Sequence, residues 1–331
     1  MMKVAVIGAG NWGRNLVRNF HQLEALQAIC DISPQRLAAL SLSYHAIPTF
    51  HRIEELLDQR DLGAVAIATP AATHYRLAKQ VLQAGKDVFV EKPMALRYDE
   101  GKELVDIAKR NARVLMVGHL LEYHPAIRKL QSLICRGDLG ELCYIYSNRL
   151  NLGRIRKEEN SLWSFAPHDI AVILGFVQQM PLTVTATGRA FIRPGIADVT
   201  LMTMKFQHGL IAHIFVSWLH PYKEQRVVVI GSRRMAAFND LEPLEKLTLY
   251  EGQFGWNDSA TPAAVTTCVR VEPAEPLHVE CHHFIECLKT RHEPLTGGTH
   301  GLRVLQVLEA AQRSLESNGT PISIESAGAF T

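Results

Sequence analysis

The sequence predicts a two-domain protein in which a doubly wound, parallel α/β sheet precedes an α+β domain with a large, mostly antiparallel sheet. Three observations support this prediction. Short apolar runs alternate with amphipathic helical segments over the first 120 residues, and a glycine-rich turn follows the first run. Beyond residue 121 short strands joined by hairpin turns take over. We therefore expect two domains, 1–120 and 121–331.

The apolar runs of the first domain are each short enough for a buried strand. They predict strands at 3–7, 26–30, 64–68, 88–90 and 114–117. The segments between them predict helices at 11–22, 53–57, 74–84 and 100–110. Strands that alternate with helices pair in parallel, so their carboxyl ends meet at one edge of the sheet, where ligands bind.

The second domain has a different pattern. One helix is predicted at 125–135, and strands follow at 142–148, 184–192, 199–206, 210–218, 226–230, 236–239 and 246–250. His208-Gly209 and Gly231-Ser232 are predicted to form hairpin turns, so the strands pair antiparallel. Two final helices, near 277–288 and 301–317, are expected to cover this sheet and return toward the first domain.

Composition and charge exclude several classes of function. Lys and Arg number 35 against 33 Asp and Glu, and no basic block is present, so neither a nucleic acid nor a membrane is an expected partner. No signal peptide or membrane-spanning run is apparent, so we expect a cytoplasmic protein. The six cysteines form no C-x-x-C pair, which indicates reduced, mostly structural thiols.

The stretch Val4 to Gly13, VAVIGAGNWG, fits the G-x-G-x-x-G pattern of a dinucleotide-binding turn. Gly8 allows the tight turn, Gly10 lets the backbone approach the pyrophosphate, and Gly13 permits close packing of helix on strand. The alternative is a structural turn in another doubly wound protein. Because a strand precedes the turn and a helix follows it, we predict a Rossmann domain, with Asn11 and Trp12 also at the cofactor.

Asp31 follows the second predicted strand, 18 positions after Gly13. A carboxylate at this place accepts hydrogen bonds from both ribose hydroxyls of NAD and repels the 2′-phosphate of NADP. The predicted cofactor is therefore NAD. Arg36 is expected to be a surface residue of a helix rather than a partner of a 2′-phosphate.

Other strand ends also bear chemistry. Thr69-Pro70, followed by His74, comes after one strand, Glu91-Lys92-Pro93 after the next, and Gly118-His119 after a third. We expect Thr69, Pro70, His74, Glu91 and Lys92 to lie at the cofactor. A lysine directly after an apolar strand can be partly desolvated and held toward a cofactor. The alternative for Glu91-Lys92 is a plain ion pair.

Taken together, G-x-G-x-x-G, the acid after the second strand, T-P-x-x-x-H and E-K-P resemble the Gfo/Idh/MocA family, named for glucose-fructose oxidoreductase, inositol dehydrogenase and rhizopine catabolism. The resemblance covers the whole first domain. It implies a nicotinamide dehydrogenase of sugars or cyclitols, with Lys92 in the catalytic position and Glu91 beside the cofactor. It also implies an open-faced sheet in the second domain, through which a dimer or tetramer forms.

The stretch 147–173 is the most informative part of the second domain. Arg149, Arg154 and Arg156 could supply the cations that a nucleotide diphosphate needs, and the alternative is a solvated loop paired with Glu158 and Glu159. His168 is the candidate acid–base group, with Pro167 expected to fix the entry to its helix. By itself this histidine also fits a cap or surface role, whereas the resemblance implies the catalytic one.

This stretch departs from the family at two positions. Many members have an acid where this chain has Ser164, and a glycine where it has Ala166. A serine can hydrogen-bond a sugar hydroxyl but has no charge, and members that act on nucleotide sugars also lack the acid. The departure therefore favours a nucleotide sugar over a free one.

Further motifs, HLLEYHPAI, LWSFAPHDI and VSWLHPYKEQR, are similar to the branch that oxidises the C3 hydroxyl of UDP-N-acetylglucosamine. The resemblance implies a PLP-dependent 3-aminotransferase as functional partner, in the supply of 2,3-diamino sugars for lipid A. The substrate residues it implies are Tyr123, Arg149, Asn151, Arg154, Arg156, Trp163 and Ser164. The alternatives are a UDP-N-acetylglucosaminuronate 3-dehydrogenase, a free inositol or hexose dehydrogenase, and an NAD-binding sensor without turnover.

One cluster invites a zinc interpretation. Its members are His278, Cys281, His282, His283 and Cys287. They lie along one predicted helix without a C-x-x-C pair or the H-E-x-x-H order of catalytic zinc sites. We therefore predict no metal.

Overall fold

The structure, a computed structural model, describes residues 3–153, 155–251 and 265–324. The chain forms two compact units, of which the first contains the residues up to Tyr123 together with Ala274–Leu305, and the second contains His124–Pro273 and the residues from Gln306 onward. The second domain was predicted to span 121–331; in the structure the contacts of Ala274–Leu305 group that segment with the first unit. The functions assigned to the two domains stay predictions at this point.

The helices confirm most of the predicted positions. They are α1 (Gly13–Gln22), α2 (Pro34–Ser41), α3 (Ile53–Leu57), α4 (His74–Gln83), α5 (Tyr98–Arg110), α6 (Pro125–Cys135), α7 (Ser161–Val177), α8 (Pro276–Thr290) and α9 (Gly298–Glu316). The bounds of α3 and α6 agree with the sequence analysis, whereas α2 was not predicted. In the described part of the chain, no helix is both long and apolar enough to cross a membrane.

The first unit is built on a parallel sheet with the order β3-β2-β1-β4-β5-β6, as the sequence predicts for a Rossmann domain. Its strands are β1 (Val4–Ile7), β2 (Leu26–Cys30), β3 (Thr49–Phe50), β4 (Ala64–Ile67), β5 (Asp87–Glu91) and β6 (Leu115–Gly118). The chain moves outward on one side of β1 and then returns to start β4 on the other. Ligands bind at such a reversal, outside the carboxyl ends of the strands.

Helix α8 completes the core of the first unit. Phe284 on this helix lies edge-on to Phe20 of α1 and Phe89 of β5, with ring centroids 6.4 Å and 5.7 Å apart. All three rings are fully buried. Apolar burial and edge-to-face pairing explain why this late segment belongs to the first unit.

The second unit contains a sheet with the order β14-β13-β12-β11-β7-β10-β9-β8-β15. Its strands are β7 (Leu142–Leu152), β8 (Thr183–Arg189), β9 (Val199–Lys205), β10 (Ile211–Ser217), β11 (Leu219–Gly231), β12 (Arg234–Asn239), β13 (Leu247–Glu251), β14 (Val265–Cys268) and β15 (Ile322–Ser323). Neighbours pair antiparallel except β7 and β10, which pair in parallel. The predicted mostly antiparallel sheet is therefore confirmed.

The two faces of this sheet differ. On β9, Met202 and Met204 are buried on the side of α7, whereas Leu201 between them is 45% exposed. The turn at His208-Gly209 is confirmed, since both residues have positive φ angles of 57° and 80°. The second predicted turn is displaced by one residue, to Ser232 and Arg233.

Candidate active site

The turn after β1 needs its three glycines for different reasons. Gly8 has a φ of +98°, and a Cβ there would lie 2.6 Å from the carbonyl oxygen of Ala68. A Cβ on Gly13 would lie 1.7 Å from the carbonyl oxygen of Gly8. Around Gly10, by contrast, no described atom lies within 4 Å of an added Cβ. The packing of the chain explains Gly8 and Gly13, and the open space at Gly10 fits a phosphate that approaches the backbone.

The start of α1 borders the same turn. Asn11 is exposed, Trp12 is 38% exposed, and the side chain of Trp12 makes no capping bond to the helix. The N–H groups at a helix start attract anions. The turn and the helix start together suit the pyrophosphate of a dinucleotide.

Asp31 lies directly after β2 and is 5% exposed. Its Oδ2 accepts a hydrogen bond from the backbone N–H of Ala9 at 2.6 Å, and its Oδ1 accepts one from Ser33 at 2.8 Å. The guanidinium of Arg36 lies 3.5 Å from Oδ2, with the side chain 53% exposed. Each carboxylate oxygen keeps a further lone pair, so Asp31 fits the ribose hydroxyls of NAD.

His74 joins two of the strand ends. Its ring is 1% exposed, with Nδ1 2.7 Å from the carbonyl oxygen of Pro93 and Nε2 2.8 Å from that of Thr69. The hydroxyl of Thr69 contacts that of Thr73 at 2.6 Å, and Pro70 is exposed. His74 was predicted to lie at the cofactor, and this stays a prediction; in the structure its ring contacts the loops after both β4 and β5.

Glu91 ends β5 in a buried position directly before Lys92. Its carboxylate accepts a hydrogen bond from the indole N–H of Trp12. A Cβ on Gly118 of β6 would lie 2.9 Å from Glu91 Oε2, so a larger residue there would require the Glu91 carboxylate to shift. Burial raises the pKa of Glu91 to about 7, although the Trp12 hydrogen bond and the charge of Lys92 lower it.

The sequence analysis missed a second buried acid, Glu280 on α8. Its side chain is fully buried, and neither carboxyl oxygen has a hydrogen-bond partner among the described residues. Burial raises the pKa of Glu280 well above its usual value, and the neighbouring Glu91 raises it further. Both effects favour the protonated form of Glu280. In the sequence, Glu280 could have been noticed only because it lies between the members of the zinc-like cluster.

Tyr123 was predicted to orient a sugar. The structure buries it in the first unit, where its hydroxyl lies 3.1 Å from that of Thr296 and its ring lies 5.6 Å from the ring of His283. Only 4% of the residue is exposed. These contacts indicate a core role for Tyr123.

Arg149 of β7 forms a buried ion pair with Asp169 of α7. Its Nε lies 2.8 Å from Asp169 Oδ2 and its Nη2 lies 3.0 Å from Oδ1, and Ser147 also donates to Oδ1 at 2.7 Å. Burial opposes the charge of Arg149, but Asp169 offsets this, so the pKa of Arg149 is raised. A guanidinium held in this way is a poor candidate for the predicted diphosphate contact.

Helix α7 bears the candidate acid–base group. His168 is half-buried on this helix, and Ser164 lies one turn earlier on the same face and is 3% exposed. The prediction that Pro167 opens the helix is wrong, because α7 begins at Ser161 after Asn160, whose Oδ1 accepts the N–H of Trp163 at 3.1 Å. Pro167 lies inside the helix.

The remaining substrate candidates differ in their surroundings. The indole of Trp163 donates to Gln312 Oε1 at 3.0 Å and is largely buried. Asn151 Oδ1 is buried and has no hydrogen-bond partner among the described residues. Arg156 is 50% exposed and pairs with Glu159 at 2.7 Å, as the solvated-loop alternative expects. Arg154 lies outside the described residues.

The zinc-like cluster has ordinary contacts. Cys287 Sγ lies 3.4 Å from His283 Nε2, and that nitrogen also accepts the backbone N–H of Leu295 at 3.1 Å. Among residues 3–153, 155–251 and 265–324, no group of three potential ligands could hold a metal ion.

Two family models match the chain. Residues 2–119 match the Gfo/Idh/MocA oxidoreductase family model with an NAD-binding Rossmann fold, and residues 127–237 match the GFO/IDH/MocA C-terminal domain. The dinucleotide turn described above lies within the first match.

Individual relatives cover most of the chain. The UDP-N-acetylglucosamine 3-dehydrogenase of Acidithiobacillus ferrooxidans is 26% identical over 92% of this chain and 94% of its own, and its structure superposes with a TM-score of 0.85 at 24% identity over 96% and 98%. The scyllo-inositol 2-dehydrogenase (NAD+) of Bacillus subtilis is 24% identical over 84% and 82%. The WlbA dehydrogenase of Bordetella pertussis, solved with NADH and UDP-GlcNAcA, has a TM-score of 0.78 at 21% identity over 98% of both chains.

Proposed function

We propose, since the chain belongs to the Gfo/Idh/MocA family of oxidoreductases, that it is an NAD-dependent dehydrogenase that oxidises the C3 hydroxyl of UDP-N-acetylglucosamine to the 3-keto sugar. The observation that most supports this substrate is the similarity to a UDP-N-acetylglucosamine 3-dehydrogenase along 92% of this chain. The similarity extends through both units, so it includes the candidates for sugar binding as well as those for NAD binding.

Oxidation of an alcohol removes a hydride from carbon and a proton from oxygen. Bound NAD supplies the hydride acceptor. In this proposal Lys92 and His168 accept or relay the hydroxyl proton, since an amine and an imidazole can both change protonation state near neutral pH in a suitable environment. Ser164, on the same face of α7 as His168, donates a hydrogen bond to a sugar hydroxyl.

The diphosphate is assigned to the loop after β7. Arg149 is already engaged by Asp169, so the proposal relies on Arg156 and on its neighbour Arg154. The pair of Arg156 with Glu159 is half exposed, and such surface pairs contribute only about 0–1 kcal/mol. A phosphate can therefore replace Glu159 at little cost and be bound by the guanidinium fork.

The exposed face of the second sheet is assigned to a homo-oligomer contact. Leu201 of β9 and Ile211 of β10 are 45% and 39% exposed. Leu201 pairs with Phe215, and Ile211 lies four positions before Phe215 on β10, on the same face. Apolar residues exposed on one face of a sheet favour a protein partner. Light scattering coupled to size exclusion tests this, with dimer or tetramer as the expected mass. We further assign the cytoplasm as the location and a PLP-dependent 3-aminotransferase as the enzyme that consumes the product.

The direct test follows nicotinamide absorbance after the protein is mixed with NAD and UDP-N-acetylglucosamine. A 3-aminotransferase and glutamate are included, because the 3-keto product is expected to lie uphill and must be removed. Formation of reduced cofactor or aminated sugar supports the proposal. If NAD is reduced only with UDP-N-acetylglucosaminuronate, inositol or a hexose, that compound is the substrate instead. Tight NAD binding without any turnover would support the alternative of an NAD-binding sensor.

Two variants test the proposed acid–base groups. Lys92→Met and His168→Asn should each lower kcat by about 10²- to 10⁴-fold while NADH still binds. Asp58→Asn, at an exposed position of the first unit, serves as the control and should leave kcat unchanged. Full turnover by either Lys92→Met or His168→Asn would remove that residue from the mechanism.

A further inference from the structure

Lys92 and His119 occupy equivalent positions on neighbouring strands. Glu91 of β5 pairs in register with Gly118 of β6, and Lys92 and His119 are the next residues after this pair. Neighbouring strands lie about 4.8 Å apart, so the two backbones leave the sheet side by side. Both side chains therefore start at the same edge of the first unit.

His119 is deeply buried at this place, with 2% of the residue exposed. Burial lowers the pKa of His119 well below its usual value, and the positive charges of His300 and Lys92 lower it further. The ring is therefore neutral at physiological pH. A neutral imidazole can accept a proton on one nitrogen while it gives one up from the other.

A second histidine continues from the first toward solvent. The rings of His119 and His300 lie edge to face with centroids 5.5 Å apart. His300 Nε2 lies 3.5 Å from Glu122 Oε1, and the side chain of His300 is 18% exposed, against 3% for Glu122. Lys92, His119 and His300 thus form a series that begins at a proposed catalytic amine and ends at a side chain in contact with water.

We propose that His119 and His300 form a proton relay between Lys92 and solvent, with Glu122 orienting the His300 ring. The inference rests on the proposed function, in which the alcohol carbon gives a hydride to NAD and its oxygen gives a proton to neutral Lys92. Lys92 is a cation before the reaction and becomes this neutral amine by passing a proton to His119. His119 passes one to His300, and His300 releases one to a water or buffer base. One proton leaves per alcohol oxidised, as the reaction requires. In this relay His119 and His300 act through Lys92 without contacting the substrate, so both are positioning residues.

Other titratable groups surround the series. Glu91 precedes Lys92 and has the pKa of about 7 described above, and burial raises the pKa of Glu280 well above its usual value. Glu91 is enclosed by Trp12 and Gly118, and Glu280 is fully buried. Lys92 is partly exposed, but it lies at the carboxyl edge of the sheet, where the cofactor and substrate are expected to cover it. Of His119, His300, Glu91 and Glu280, His300 is the one with a side chain partly open to solvent, so the proton exit is assigned to it.

The activity test uses His300→Ala and His300→Gln with whichever alcohol the wild-type protein oxidises. In weak buffer both variants should lose at least about 10-fold in kcat, and imidazole should restore His300→Ala in proportion to its concentration. Glutamine can contact Glu122 through its amide but cannot relay a proton, so this variant separates a relay role from a structural one. Three results would each overturn the relay: a wild-type kcat in His300→Ala, a wild-type kcat in His300→Gln, or no rescue of His300→Ala by imidazole.

His282→Ala is the matched control. His282 also lies beside a glutamate of the first unit, with Nδ1 3.7 Å from Glu286 Oε2, but it is 55% exposed and outside the series. This variant should keep wild-type kcat and show no response to imidazole. A loss in His282→Ala as large as that in His300→Ala would overturn the assignment of the exit to His300.

A measurement without substrate separates the relay from the proposed function. In ¹⁵N-histidine NMR titrations of the NAD-free protein, Lys92→Met should raise the pKa of His119, because a like charge is removed. His282→Ala should leave the pKa of His119 unchanged. If the wild-type protein oxidises no tested alcohol, the proposed function fails while this coupling still supports the relay path. If alcohol is oxidised but the His119 pKa does not respond to Lys92→Met, the relay fails alone.

Discussion

Asp31 has two tasks, because the carboxylate that suits a ribose also accepts backbone N–H groups from Ala9 and Ser33. Asp31→Asn should weaken NADH binding by about 10- to 100-fold, since a hydrogen bond to a charged group contributes about 1.5–3 kcal/mol. Binding of NADPH should weaken less or improve, because a repulsive charge is removed. Fluorescence titrations with both cofactors measure the change in preference, and an unchanged preference would contradict the role of Asp31.

Glu91 should report its own ionisation through Trp12. Above a pH of about 7 the carboxyl that accepts the indole N–H becomes charged, so the emission of Trp12 should titrate with a midpoint near that value. Glu91→Gln should abolish the transition, and Trp12→Phe identifies the emitting residue. A transition that persists in Glu91→Gln would assign it to another group.

The raised pKa of Glu91 also affects the stability of the protein. The folded-state pKa of Glu91 lies above the usual 4.5, so the folded state binds this proton more tightly than the unfolded chain. This contribution to the free energy of unfolding is fully present below the unfolded pKa and is lost as pH rises through about 7. Between those values the wild type should lose more stability than Glu91→Gln in urea titrations.

Among individual residues, the sequence predicted those whose roles depend on neighbouring positions along the chain. The glycine turn and Asp31 are fixed by a strand, a helix and a short spacing, all of which can be read along the chain. Arg149 could not be assigned in this way, because its partner Asp169 lies 20 positions away and meets it only after β7 and α7 have packed. His300 and Glu280 were missed for the same reason.

Helix α7 and strand β7 are joined by the ion pair of Arg149 and Asp169. The side chain of Asp169 is fully buried and that of Arg149 is 14% exposed. Asp169→Asn leaves a buried guanidinium without its counter-charge, so the free energy of unfolding should fall by about 3–5 kcal/mol. Equilibrium urea denaturation measures this loss.

The double variant Arg149→Met with Asp169→Asn is the control for that loss. Removing both charges avoids the unpaired ion, so the double variant should be more stable than Asp169→Asn alone. If Asp169→Asn lowers the free energy of unfolding by less than about 1 kcal/mol, the ion pair of Arg149 and Asp169 behaves as a surface pair and does not join β7 to α7.

The error at the start of α7 has a physical explanation. Proline is favoured in the first turn of a helix, so Pro167 suggested an entry point. The true start is capped by the side chain of Asn160, and a largely buried helix gives little periodicity from which to locate its ends. Element types were therefore more predictable than their ends, and two-residue strands such as β3 and β15 left no recognisable pattern.

For the whole molecule, the alternation of runs and turns was enough to predict the two kinds of sheet. It predicted that the last two helices return toward the first domain, but not that Ala274–Leu305 becomes part of the first unit. The periodicity of α8 shows which residues are apolar, but many sheets and helices offer an apolar surface, and Phe284 could in principle have packed on either unit. Only the complete set of contacts selects Phe20 and Phe89.

Because α8 belongs to the core of the first unit, we predict that residues 1–123 cannot form a stable unit alone. Helix α8 contributes several buried apolar side chains, namely Leu277, Phe284, Ile285 and Leu288. Each is worth about 1.5–3 kcal/mol, so their loss rivals the roughly 5–15 kcal/mol that stabilises a domain. The fragment should bind a hydrophobic dye and unfold without cooperativity. Joining 274–305 to it through a flexible linker should restore cooperative thermal unfolding and NADH binding, whereas a cooperative transition in the short fragment would contradict this account.

The position of α8 in the chain also affects the order of events during synthesis. The ribosome delivers β1 to β6 early, but the helix that covers Phe20 and Phe89 emerges only after most strands of the second sheet have been made. During that interval the early strands have an uncovered apolar face that chaperones or neighbouring nascent chains can bind. The part of the protein that is synthesised first is therefore expected to be among the last to finish folding.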